Sequence, residues 1–136
     1  MPGHVEWLPP KAFSKQVMAV NFHALVHLIQ ELTPLLRQSK GRIVNVSSIC
    51  GIFAAPSNSS YSASKFALEA LNDSLGTTER KPFGVEVVIV KPTMMKTKLA
   101  TAWWNDWNDN YQPADPQKKQ WHSEVWRDTM LATFQP

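Results

Sequence analysis

Three side chains in the stretch SSICGIFAAPSNSSYSASK, which runs from Ser47 to Lys65, could handle a proton together: Ser48, Tyr61 and Lys65. Tyr61 and Lys65 are four residues apart at the start of an expected helix, so they share one face and stand one turn apart, a rise of ~6 Å. A phenol with an ordinary pKa near ~10 gives up its proton more readily beside a cation, which suits it to general acid/base work. Ser48, at the end of an expected strand, is placed by the loop to hydrogen-bond the same small polar group that Tyr61 reaches. Taken alone, a tyrosine and a lysine at this spacing also fit an ordinary solvated helix face.

The elements that must position these groups can be read from periodicity. From about Pro10 to Arg37 the apolar residues Val17, Val20, Ala24, Leu25, Leu28, Leu32, Leu35 and Leu36 recur at helical steps, which predicts one long amphipathic helix. Pro10 suits its first turn, Pro34 should kink or tighten its last, and Gly41 follows as a stop signal. RIVNVS predicts a strand over Arg42–Ser47, and a second helix is expected from about Ser60 to Thr78 with Ser57 or Asn58 as N-cap. VEVVIV, Val85–Val90, predicts a second strand, and its nearly unbroken apolar run implies burial on both faces.

Strand, helix, strand at this spacing is a βαβ unit with parallel strands and a right-handed crossover. Parallel strands end on one side of the sheet, so the loop after Ser47 and the loop beginning KPTMMKT share an edge, the edge where open α/β sheets bind ligands. Two parallel strands alone leave unpaired edges, and VEVVIV is aggregation-prone when uncovered. The expectation is therefore a sheet completed by further chain or by association.

Composition sets the outer bounds. The chain has 136 residues, 43% of them hydrophobic, with both charge signs mixed, which fits one soluble globular domain. Its opening, MPGHVEWLPP, lacks the pattern of a secretory leader, and no run reaches the length of a membrane span. The single cysteine, Cys50, points to no disulfide framework and fits a small packed residue. Sequons occur at Asn45, Asn58 and Asn72, and are read as coincidental. His23 and His27 have a metal-site spacing without a third ligand nearby, so no metal is expected. Net charge is +3, and such a weak basic bias fits a solvated surface. Five of the six tryptophans fall between Trp103 and Trp126, among Asp106, Asp109 and Asp115. That segment reads as an apolar lid over a substrate, or as ordinary packing or subunit contact. Its acidic balance argues against nucleic-acid binding.

Serine at a strand end, tyrosine thirteen residues later, lysine four after that and the ASKFAL helix together resemble the active-site segment of the short-chain dehydrogenase/reductase family. The resemblance runs from about His4 to Ala100 and includes VNFHALVHLIQELTPLLRQSKGRIVNVSS, YSASKFALEALNDSL and VEVVIVKPTMMKT. It implies Tyr61 as general acid/base and Lys65 as the group that lowers its pKa and binds the nicotinamide ribose. Ser48 would orient the substrate oxygen and Asn21 would hold a water in the proton relay. Cofactor contacts are implied for Tyr61, Lys65, Pro92, Thr93, Met95 and Thr97, and substrate contacts for Ser48 and Tyr61. The family's TGxxxGxG turn and its NAD/NADP-selecting residue do not occur, and Pro92-Thr93 stands where the family has Pro-Gly.

The fold class expected is α/β, a Rossmann-like doubly wound parallel sheet, incomplete because the N-terminal nucleotide-binding half is absent. Residues 1–102 would form the partial domain and 103–136 the Trp-rich lid or C-terminal region. Within the family the chain looks most like the steroid and retinol dehydrogenase branch, which implies NAD or NADP as cofactor and a lipid-like alcohol or ketone as substrate. The resemblance also implies a homo-oligomer contacting through the helices of Asn21 and Tyr61, within a cytoplasmic, endoplasmic-reticulum or mitochondrial parent protein. The alternative is a catalytically inactive truncated chain that acts through such pairing.

Overall fold

A computed structural model of the chain describes Val5, residues 13–93, Met95, Thr97, Lys98, Thr101, Ala102 and Asn105. Pro10 and the tryptophans of the expected lid lie outside the described residues. The first helical region changes its winding partway along. Phe13–Val17 and Ala19–His23 form π-helical turns, in which the Ala24 N–H reaches back five residues to the Ala19 carbonyl. From Ala24 to Ser39 the chain tightens into an α-helix, α1. The expected single helix is thus two windings, and the wider one rotates the side chains that precede Ala24 relative to those that follow.

Pro34 lies inside α1, which continues past the expected end at Arg37 to Ser39. The left-handed residue that ends it is Lys40, with φ 50° and ψ 45°, and not Gly41. The Gly41 N–H then closes on the Leu36 carbonyl at 2.9 Å, a Schellman-type end. Glycine at 41 meets a different demand, close approach: a Cβ there would stand 2.8 Å from Leu36 Cδ2.

Arg42–Val46 forms β1 and Glu86–Val90 forms β2, paired in parallel with Arg42 opposite Glu86 and Val46 opposite Val90. Between them runs helix α2, Ser59–Thr78, followed by a short turn of helix, α3, at Arg80–Phe83. Asn58 takes the N-cap position of α2 without a side-chain cap bond, and Ser57 is left-handed at φ 57°. Ile29 of α1, Ile43 of β1 and Val85 form the buried core, with Leu71 and Leu75 of α2 packed against them. Both helices therefore cover the same sheet face.

The opposite face corrects the expectation that β2 is buried on both sides. Val44, Val46, Val88 and Val90 are 41–57% exposed, because no described element lies over them. An apolar run records what a strand can bury, and the covering layer decides what it does bury.

Two polar pairs fix how the elements meet, one of them buried on both sides and one on the carboxylate side only. Asn45 on β1 donates from Nδ2 to Asn72 Oδ1 on α2 at 3.0 Å, and both residues are buried. Neither asparagine is open to glycosylation in the folded chain. Arg37 at the end of α1 grips the buried Glu79 carboxylate with two hydrogen bonds of 2.7 and 2.8 Å, and its guanidinium lies 3.8 Å from the centre of the Phe83 ring.

Replacing Asn72 by leucine strands the Asn45 amide, and we expect a loss of about 1–3 kcal/mol in urea unfolding, most of it recovered when Asn45→Leu is added. The Arg37 hydrogen bonds hold the Glu79 carboxyl below its ordinary value of 4.5. A lowered carboxyl contributes stability that is full above that ordinary value and is lost as the pH falls through the lowered one. Thermal melts from pH 6 down to pH 3 should therefore fall less steeply for Arg37→Met than for the parent chain.

Candidate active site

Parallel pairing carries the two loops to one edge, and the backbone ladder continues past the strands into them. The Ser47 N–H donates to the Val90 carbonyl at 2.8 Å, and the Ile49 N–H to the Pro92 carbonyl at 2.9 Å. Ser48, lying between those two bonds, has extended backbone and caps a 3₁₀ turn at Ile49–Gly51, its Oγ accepting the Cys50 N–H at 3.2 Å. That leaves the Ser48 hydroxyl proton to donate elsewhere.

Tyr61 and Lys65 occupy the first two turns of α2, as the spacing requires. The Lys65 ammonium lies 5.7 Å from the centre of the Tyr61 ring and donates to the Val46 carbonyl at 3.0 Å. Lysine thus ties the helix start to the end of β1. Its partial burial lowers the Lys65 pKa below the ordinary 10.5, since desolvation penalises the charged form. Among the described residues no hydrogen bond joins the Ser48 and Tyr61 hydroxyls, so each can meet a third group at this edge.

Asn21 arrives from the π-helical turn. Its Nδ2 donates to Ser64 Oγ at 3.1 Å, and Ser64 Oγ donates in turn to the Tyr61 carbonyl at 2.7 Å. Ser64, fully buried, is the residue that sequence reasoning did not single out. Its one visible signal was a hydroxyl one turn after Tyr61, where a helical serine bonds back to the preceding turn. Of the remaining expected contacts, Pro92 is half-buried beside the Ser48 loop, while Thr93 and Met95 are exposed. Thr97 opens a further helical turn, accepting the Thr101 N–H at 3.0 Å.

The donor set suits one end of a dinucleotide. A cation and two hydroxyls at a strand-end edge match a ribose and a polar ring substituent. The pyrophosphate end finds no counterpart there: the loop from β1 to α2 holds one glycine, Gly51, and no Gly-rich turn opening a helix. We expect Lys65 to lose its proton below the ordinary lysine value of 10.5 when side-chain resonances of a lysine-labelled chain are followed by NMR. A Lys65 titration at that ordinary value would contradict its burial at the Val46 carbonyl.

Comparison with known proteins matches this geometry to a family. A model described as short chain dehydrogenase matches residues 2–108. Retinol dehydrogenase 5 of Mus musculus is 41% identical over 97 residues, 71% of this chain and 30% of that protein. The mitochondrial D-beta-hydroxybutyrate dehydrogenase of the same species is 41% identical over 90 residues, 66% of this chain and 26% of that protein. The chain thus spans less than a third of the length of either relative. Among solved structures, a short chain dehydrogenase from Burkholderia cenocepacia in complex with NADP superposes with a TM-score of 0.67 at 30% identity, covering 75% of this chain and 44% of that one. Because the family match takes in every helix and strand described above, the chain belongs to the short chain dehydrogenases, with the Rossmann-like α/β architecture of that family.

Proposed function

We propose that this chain carries the active-site portion of an oxidoreductase acting on a primary or secondary alcohol, or the matching carbonyl, of a lipid-like molecule such as a retinoid or steroid. The observation that carries the reading is the gathering of Ser48, Tyr61 and Lys65 at one sheet edge, with Asn21 tied through Ser64 to the Tyr61 backbone. The names of the relatives support the reaction class: retinol is a primary alcohol and D-beta-hydroxybutyrate a secondary one.

In this reading a nicotinamide cofactor, when bound, supplies the hydride chemistry. The chain's own residues do the rest. Ser48 Oγ, already accepting from Cys50, donates its proton to the substrate oxygen and holds it beside Tyr61. The Tyr61 hydroxyl exchanges a proton with that oxygen. Lys65 would hold the ribose of that cofactor, and its charge stabilises the Tyr61 phenolate. Pro92, Thr93, Met95 and Thr97 would hold the carboxamide side of NAD or NADP.

A second reading, pairing without catalysis, is favoured by the apolar residues left open: Leu28, Leu32 and Leu35 on α1 and Phe66 on α2 are all exposed. It requires gel filtration to show a dimer, or a complex with a full-length relative, in a chain that leaves alcohols unchanged.

The first reading is tested by titrating NADH and NADPH into the chain and following energy transfer from its tryptophans. Saturable binding is expected, weakened about tenfold by Lys65→Ala through loss of charge-assisted hydrogen bonds. Tyr61→Phe should retain binding and lower turnover by roughly 10²–10⁴. A folded chain that binds neither nucleotide overturns it.

A further inference from the structure

Helix α2 meets the candidate site along a stripe that extends one turn beyond the residues already assigned. Tyr61, Lys65 and Glu69 recur at four-residue steps, so they follow one face of the helix. Lys65 reaches the end of β1, whereas Glu69 reaches both loops at once. Its Oε2 pairs with Lys91 Nζ at 3.0 Å, on the residue preceding Pro92. Its other oxygen faces the Ser48 loop: a Cβ on Gly51 would stand 3.0 Å from both Glu69 Cγ and Glu69 Oε1, and 2.8 Å from Ser47 Oγ.

Glu69 Oε1 and Ser47 Oγ are both buried without a hydrogen-bond partner among the described residues, and Ser47 is only 4% exposed. One lacks a donor and the other can donate, and both converge on the same glycine. A half-covered carboxylate is costly unless its oxygens are met. Lys91 meets one of them, and the absence of a side chain at Gly51 is what lets the other seat against the loop.

We propose that Glu69 is a positioning residue that clamps the Ser48 loop and the Pro92 loop onto α2, an inference that rests on the dehydrogenase reading above. In this proposal Glu69 acts through the loops and takes no part in proton transfer. By pairing with Lys91 and seating against Gly51, it fixes how the two loops face the sheet edge at which a nicotinamide would lie. The Ile49 amide, bonded from one loop to Pro92 of the other, reports whether the clamp is closed.

The test follows hydrogen exchange of the Ile49 amide in the parent chain, in Glu69→Ala and in Glu69→Gln, with NADH titrated into each. Glu69→Ala should speed Ile49 exchange by about tenfold while the β1 ladder amides stay protected, as in a local opening. Glu69→Gln keeps the shape at Gly51 and an acceptor for Lys91, and should restore most of the protection. NADH binding should weaken about fivefold in Glu69→Ala and recover with Glu69→Gln. An unchanged Ile49 amide in Glu69→Ala overturns the clamp. So does faster exchange spread evenly through the core around Ile29, or open loops with undiminished NADH affinity. If the parent chain binds no NADH, the dehydrogenase reading falls, and with it the positioning role, while Ile49 exchange still decides whether the clamp exists.

Discussion

The parallel pairing of β1 with β2 is the constraint from which the rest of this molecule follows. Parallel strands need a crossover, and the crossover here is α2, whose apolar side packs on the sheet and whose first turns lie above the strand ends. Had the strands run antiparallel, Ser48 and Pro92 would sit at opposite ends of the sheet. Because they run together, two backbone hydrogen bonds beyond the last ladder rung hold the two loops side by side. The helix then needs only short side chains and one lysine to bring its own chemistry to the same edge.

Polar contacts between elements give this small fold a specific geometry. The Asn45–Asn72 amide pair spans β1 and α2, Arg37–Glu79 spans α1 and the end of α2, and Asn21–Ser64 spans the π-helical turn and the start of α2. Each joins two elements whose apolar surfaces could otherwise slide against each other. A hydrogen bond in a covered site tolerates little displacement, so such pairs fix register where hydrophobic contact alone would not. The π-helical winding belongs to the same set: it turns Asn21 toward α2, and the tighter winding after Ala24 directs Ile29 into the core.

The open sheet face stands in contrast to this order. Four valines are exposed in two register-matched pairs, Val44 with Val88 and Val46 with Val90. In α/β proteins parallel strands are normally covered on both sides, and the part of this chain that matches its relatives spans less than a third of their length. The β-branched run in β2 therefore carries a preference that the described elements satisfy on one side only.

Local spacing was enough to identify the helix of Tyr61 and Lys65, the strand leading to Ser48 and the parallel βαβ unit, because each depends on residues near one another in the chain or on a pattern of period two or four. Tertiary structure alone decided the remainder. Ser64 and Glu69 owe their places to Asn21, Gly51 and Lys91, partners 18 to 43 residues away or on other elements. Gly41 proved to serve packing against Leu36 while Lys40 took the left-handed turn, a division invisible in residue types. Burial of β2 on one face instead of two was equally beyond the sequence. Hydrophobicity states the free energy available from covering a strand, and only the arrangement of layers determines how much of it is collected.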